Sequence, residues 1–252
     1  MNVLAILHRN IKWRFHNALT IIITILQPML WLVMYSSVAG STMQNTGIKN
    51  YTAFILPGLI VLVSFGVCSS GGIMNYLMKN DGSFYRILIA PPIHRSSIVL
   101  GQLLEAVLCS FFEVTIMVIV SLFFSVRIPL NISIILYIII LIFLMSFFMA
   151  GICYAISLIL PNEVMYETVM NAIVLPIFFL STALFPANNI HGALAIAIHI
   201  NPFTHVINIL RSFILYERLD IGQMIFVMIL FMILGCISFL WAHHKLKKET
   251  NL

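Results

Sequence analysis

Ile198-His-Ile-Asn-Pro-Phe-Thr-His-Val-Ile-Asn-Ile-Leu-Arg211 is an apolar stretch cut in two by Asn201-Pro202. The apolar run before the cut and the run after it, which reaches Tyr216, are each well short of the roughly 20 residues a helix needs to cross about 30 Å of hydrocarbon. Upstream, Phe185-Pro-Ala-Asn-Asn-Ile-His191 breaks the chain again. Non-helical backbone at membrane depth survives only where protein buries it or a wet cavity lines it. Residues 185–220 are therefore expected to form a re-entrant helical hairpin, two half-helices dipping from the outer surface near the exit of a pathway.

The composition around this segment is that of an integral membrane protein. Of 252 residues 62% are hydrophobic and 8% charged, far too little polar surface to cover a soluble globule. Unpaired backbone groups in lipid cost several kcal/mol each, so the spans are expected to be helices. Alternation of the barrel kind is absent. Length and charge spacing predict an all-α protein with six transmembrane helices, over residues 18–39, 53–78, 98–124, 132–160, 165–184 and 221–241. Gln27-Pro28 in the first, and Pro57-Gly58 and Ser69-Ser-Gly-Gly72 in the second, predict kinks and close helix contacts. Both are expected to face protein rather than lipid.

Orientation is read from the 13 Lys and Arg. Arg9, Lys12, Arg14, Lys79, Arg86, Arg95, Lys245, Lys247 and Lys248 fall on one side of the predicted spans, and Lys49, Arg127, Arg211 and Arg218 on the other. The richer side marks the cytoplasm, which places both termini there and the protein in the cell membrane. The net charge of +5 is mostly this bias plus attraction to membrane lipid, and calls for no nucleic-acid partner. Ser37-Val-Ala39 has the form of a signal cleavage site, but the apolar run before it is long, carries Gln27-Pro28 and is followed by further spans. Cys68, Cys109, Cys153 and Cys236 lie singly in four different spans and read as packing residues. No repeat or linker divides the chain, so residues 1–252 form one domain.

Three segments lie at the cytoplasmic surface. Residues 1–16 put Leu4, Leu7, Ile11 and Phe15 on one helical face and Arg9, Lys12 and His16 on another, the pattern of an amphipathic interfacial helix, although a basic flank to the first span would look similar. In residues 79–97, Asp81-Gly-Ser83 supplies a turn and cap, Phe84 to Ala90 make about two helical turns, and Pro91-Pro92 stops them. A tight polar loop would also use the double proline. Between spans four and five, Leu160-Pro-Asn-Glu-Val164 is too short for a domain. Asn162 is a good N-cap, with Glu163 and Glu167 favourable in the following turn.

Pro202, Phe203, His205 and Arg211 stand at the spacing of a known signature: Pro, an apolar residue, a spacer, His/Arg/Ser/Tyr, five more residues, then Arg or Gln. On this motif, with Pro91-Pro92 followed by Gly101-Gln-Leu103, the chain resembles the membrane subunit of the type-2 ATP-binding-cassette exporters over nearly its whole length. The resemblance implies that Ser83, Phe84, Tyr85, Arg86, Ile87 and Leu88, ending at Pro91 and Pro92, form a coupling helix seated in a partner ATPase. It implies a second ATPase contact at Pro161, Glu163 and Glu167, and a third through the 1–16 helix. Phe185, Pro186, Asn201, Pro202, His205 and Arg211 become the re-entrant signature. It further implies two copies of the ATPase, carrying ATP and Mg, and a second permease, identical or not, met through the first, second and fifth spans. The small first outer loop and the absence of an added domain disfavour the large peptide and polysaccharide exporters.

No Gly-x-x-x-x-Gly-Lys-Ser/Thr is present, so the chain cannot cradle ATP phosphates by itself, and no hydrolase motif appears. No cofactor or metal is expected on it: His191, His199 and His205 are irregularly spaced, and hydrogen bonding to exposed half-helix ends suits them better. Glu105 and Glu113 lie in the third span. Glu105 is expected to reach water near the cytoplasmic end. Glu113 is about 22 Å in from Ile98 at 1.5 Å per residue, and so is the better candidate for a polar group on the path. Arg211 could pair with Glu113 or bind headgroups. The Met-rich and Phe-rich spans (14 Met, 19 Phe) suit an amphiphilic substrate such as a drug, lipid, lipid-linked glycan or modified peptide. The alternative is an ion- or proton-coupled secondary transporter using Glu113.

Overall fold

The computed structural model describes residues 3–15, 22, 26, 29–37, 50–83, 94–126, 131–185, 190–216 and 220–249. Among them all regular structure is helical. In chain order the helices are α1 (Val3–Arg14), α2 (Tyr51–Asn80), α3 (Arg95–Phe123), α4 (Ile132–Ser157), α5 (Glu163–Phe179), α6 (Ala193–Ile200), α7 (Pro202–Tyr216) and α8 (Ile221–Glu249), with a further helical stretch at 29–37.

Short polar residues start these helices where the sequence places them. The Asn50 side chain accepts the Ala53 N–H at 3.1 Å, Asn131 that of Ser133 at 3.0 Å, and Asn162 that of Met165 at 2.8 Å. Each fills an otherwise orphaned donor of a first turn. Asn162 is thus the N-cap expected of it, with Glu163 in the first turn of α5.

Among the described residues four helices, α2, α3, α4 and α8, are long and apolar enough to cross a membrane, and the bent pair α6–α7 adds a fifth candidate. Two of the six expected spans are not among these. Most of 18–39 lies outside the described residues, which here are only 22, 26 and 29–37. The predicted fifth span, 165–184, closes early: α5 is 17 residues, carries Pro176 within it, and ends at Phe179. The Leu180 N–H closes on the Pro176 carbonyl at 2.7 Å, and the chain then turns. Proline cannot donate, which weakens the last turn of the helix. At the other end, α8 runs to Glu249 rather than stopping near 241, because Ala242 and Leu246 remain buried and Glu249 pairs with Lys79.

α2 is the hub, packed against α3, α4, α5 and α7, and 83% of its most apolar window is buried inside the chain. α8 leans on α4 and α3. Close approach rests on missing side chains. A Cβ at Gly58 would lie 2.6 Å from that of Ala183, and one at Gly101 would lie 2.7 Å from Ile6 Cγ2. Gly72 lies against the Tyr166 ring. Gly58 and Gly72 of the second span therefore mark close contacts, as small residues do between membrane helices. Phe203 of α7 joins Phe65, Phe148 and Phe231, with ring centroids 4.9, 6.2 and 5.5 Å away. One aromatic cluster thus ties α2, α4, α7 and α8 together.

Candidate functional site

At Asn201-Pro202 the chain bends by 75° between α6 and α7, the break expected from the sequence. Asn201 is buried and does three things there. Its Oδ1 accepts the Phe203 N–H at 3.0 Å, capping α7, whose first residue is Pro202. Its Nδ2 donates to the carbonyls of Ile177 at 2.7 Å and Leu180 at 2.8 Å. These are among the carbonyls that α5 leaves unpaired where it stops. Across the bend, His205 Nε2 lies 3.0 Å from the His199 carbonyl at the end of α6, the role at an open half-helix end that its position suggested.

Arg211, about two and a half turns along α7, completes the same repair. It is 8% exposed. Its Nε donates to the Phe54 carbonyl of α2 at 3.1 Å, and Nη2 donates to the carbonyls of Thr182 and, at 3.4 Å, Ala183. Its guanidinium lies 3.7 Å above the Phe54 ring, and Nη1 donates to Asn208 Oδ1 at 3.4 Å. Five donors in a planar fork suit several carbonyls at once. Asn208 Oδ1 also accepts from the Thr182 hydroxyl at 2.8 Å, and the Tyr51 hydroxyl donates to the Leu184 carbonyl at 2.8 Å. Arg211 therefore pairs with backbone, not with Glu113. Phe185 is exposed, and Pro186 lies outside the described residues.

At the far end of α2 the structure gathers a second set of polar groups. Ser83 Oγ donates to the Met78 carbonyl at 3.2 Å. Phe84, Tyr85, Arg86, Ile87, Leu88, Pro91 and Pro92 lie outside the described residues. The Tyr76 hydroxyl donates to the Leu160 carbonyl at 3.0 Å, and the Lys79–Glu249 ion pair joins α2 to the end of α8. The root of the 83–92 segment, the α4–α5 turn with Pro161, Glu163 and Glu167, and the end of α8 thus lie side by side. Pro161 and Glu167 are exposed, and Glu163 is half-buried.

Glu105 corrects the sequence reading. It does not reach water: it is fully buried and paired with Arg14 of α1. Within the 1–16 segment Val3–Arg14 is a helix, but its burial pattern differs from the one expected. Leu4 is 72% exposed and Phe15 40%, whereas Ile6 and Asn10, one turn apart, are buried against α3. Of the apolar face seen in the sequence, Leu7 and Ile11 are half-buried and Phe15 meets the Phe112 ring of α3 edge-on at 5.7 Å, while a stripe of Ile6, Asn10 and Arg14 enters the bundle. Cys236, read as a packing residue, is exposed, while Cys68, Cys109 and Cys153 are buried. Glu113 is 8% exposed. One turn away, Ser110 shares its hydroxyl with Ser64 at 2.9 Å and Ser146 at 3.0 Å, joining α2, α3 and α4. Sequence reading missed this triad, Asn10 and Gln102; the available signal was each polar side chain standing inside an apolar helix.

A bent helix pair stitched to the hub of a bundle of long apolar helices, in a chain without an ATP-binding motif, suits a transport permease. The family model described as ABC-2 type transporter matches residues 1–215, and the chain belongs to that family. It is a multi-pass membrane protein of the permease kind, and membership implies association with an ABC ATPase subunit. It is 27% identical over 241 residues, 88% of this chain and 81% of the relative, to "Putative transport permease ycf38" of Cyanophora paradoxa. Over 203 residues, 80% of this chain and 69% of the relative, it is 28% identical to the protein of the same name in Porphyra purpurea.

Proposed function

We propose that the chain is the membrane subunit of an ATP-driven exporter that moves an amphiphilic molecule (a drug, lipid, lipid-linked glycan or modified peptide) out of the cell. Two ATPase subunits, binding ATP and Mg, would drive a pair of permeases, and this chain holds no cofactor of its own. The supporting observation is the junction of the α2 end, the α4–α5 turn and the α8 end through Tyr76–Leu160 and Lys79–Glu249. One partner seated there would meet both the 83–92 coupling segment and the 160–167 turn. ATP-driven closure of the ATPase pair would then push on α2 and α3, which carry the coupling segment between them.

In this reading the junction faces the cytoplasm, and the α6–α7 hairpin faces outward at the exit. α5 buries only Tyr166, Met170 and Phe178 against its own chain, leaving Val164, Met165, Leu175 and Phe179 exposed for a second permease. α2, expected to share that surface, is instead enclosed by its own chain. The rival, an ion-coupled carrier through Glu113, gains nothing from the family match.

The test is purification of the detergent-solubilised chain from its native membrane, with partner masses and ATP hydrolysis read on one sample. A stoichiometric ATPase that is lost when residues 83–90 are altered supports the exporter. A chain that purifies alone, without ATP hydrolysis, sinks it.

A further inference from the structure

α1 is stitched to both helices that flank the coupling segment, largely by polar side chains that are buried or half-buried. Along one stripe of α1, Ile6 fills the space over Gly101. One turn on, Asn10 Nδ2 donates to Gln102 Oε1 at 2.9 Å. One turn further, Arg14 pairs with Glu105. All three targets are on α3. The same helix reaches α2: Arg14 Nη1 donates to Ser70 Oγ at 2.8 Å, and Arg9 Nη2 lies 3.5 Å from Met78 Sδ. Gln102 Nε2 closes the set on the Gly71 carbonyl at 3.3 Å.

The ion pair lies beside Gly71, where a Cβ would stand 3.3 Å from Arg14 Nη2 and 4.0 Å from Glu105 Oε2. The pair is half engaged. Arg14 Nε faces Glu105 Oε1 as an ion pair, Cys109 Sγ donates to the same oxygen at 3.4 Å, and Nε, Nη2 and Glu105 Oε2 are buried without a hydrogen-bond partner. A planar guanidinium and a carboxylate can exchange one contact for two without either charge losing its partner. Such a pair keeps α1 joined to α3, since neither charge can leave the other without being stranded in the interior.

We propose that Arg14 and Glu105 are positioning residues of the transport cycle, the staple that makes α1, α2 and α3 move as one body when the coupling segment between α2 and α3 is displaced. The inference rests on the exporter reading. A buried pair that loses one partner leaves an uncompensated charge, so α1 would part from α3 and the movement would stay local.

The experiment uses the permease–ATPase complex in lipid nanodiscs with Phe123→Cys, an 84% exposed site at the far end of α3. The labelling rate with a water-soluble maleimide is compared without nucleotide and after trapping with ATP and vanadate, the complex lacking the new cysteine serving as blank. The ATP-dependent change in rate is expected to fall by about tenfold in Glu105→Gln and Arg14→Gln, the scale of a site-to-site coupling, while ATP hydrolysis persists. The reversed pair Arg14→Glu/Glu105→Arg is expected to restore most of it. A full response in either single variant overturns the proposal, as does loss in a reversed pair that still hydrolyses ATP. If a single variant does not assemble, the reversed pair decides alone. A wild-type complex that assembles with its ATPase but does not respond to ATP fails earlier, at the exporter reading, and removes the staple's role with it.

Discussion

Asn201 and Arg211 each serve a backbone that has stopped being helical. An amide reaches two α5 carbonyls and caps α7 at once; a guanidinium collects carbonyls from α2 and from the turn after α5. Removing such groups strands buried acceptors, each costing about 1–3 kcal/mol. Asn201→Ala is therefore expected to lower stability by about 2–4 kcal/mol, and Asn201→Ser by less, since a hydroxyl keeps the cap but not both amide donors. Thermal unfolding of the purified permease in lipid nanodiscs measures this; equal midpoints for Asn201→Ala and the parent would show that the carbonyls find other partners. Arg211→Lys is expected to recover little, because an ammonium cannot address three carbonyls in the plane of the fork. A lysine variant as stable as the parent would contradict that geometry.

Helix contacts in this bundle depend on where a side chain is missing. Gly58 and Gly101 press against Ala183 and Ile6, so Gly58→Val and Gly101→Val must separate α2 from the end of α5, and α3 from α1. Overpacking of this kind costs roughly 1–3 kcal/mol. Gly66, also in α2, has open space for 4 Å around the point where a Cβ would stand. Gly66→Ala is expected to be neutral or to stabilise by up to about 1 kcal/mol through helix propensity. Unfolding midpoints of the three variants, compared side by side, should place Gly66→Ala level with the parent or above it and both valines below. In α1, likewise, Leu4 is exposed and Phe15 meets Phe112 edge-on, while the stripe that docks carries Asn10 and Arg14.

Among the described residues, polar groups gather at both ends of α2, one set holding the α6–α7 bend and one joining α1, the α4–α5 turn and α8, with the serine triad between them. Under the exporter reading, force enters at the second set and opens a path toward the first. Reversing the charge of Arg86, or replacing Ile87 and Leu88 by Gly, is then expected to separate ATP hydrolysis from export while leaving the unfolding midpoint unchanged. Efflux of a lipophilic dye from proteoliposomes, measured beside ATP turnover, checks it, and retained coupling would remove the coupling-helix assignment. Glu113→Gln is expected to slow the same efflux if the carboxyl lines the path. Unchanged efflux would leave it a structural group beside the serine triad.

The sequence by itself determined the solvent and the secondary structure: 62% apolar residues in runs of membrane length demand helices, and Asn201-Pro202 demands a break, whatever surrounds them. The caps at Asn50, Asn131 and Asn162 are local in the same way, because an N-cap acts within three residues of itself. What only the tertiary structure decided is which distant group each polar side chain meets. Glu105 read as a carboxylate near water, and Arg14 as one more basic flank; their pairing follows from α1 lying back against α3, with the whole of α2 between them in the chain. Arg211 looked equally suited to Glu113 or to headgroups, and found the unpaired carbonyls that the early end of α5 exposes. Periodicity and capping are local, and so are written in the chain. The partners of a buried charge are set by the packing of helices far apart in sequence, where the cost of an unpaired polar group in a low-dielectric interior selects the arrangement that satisfies it.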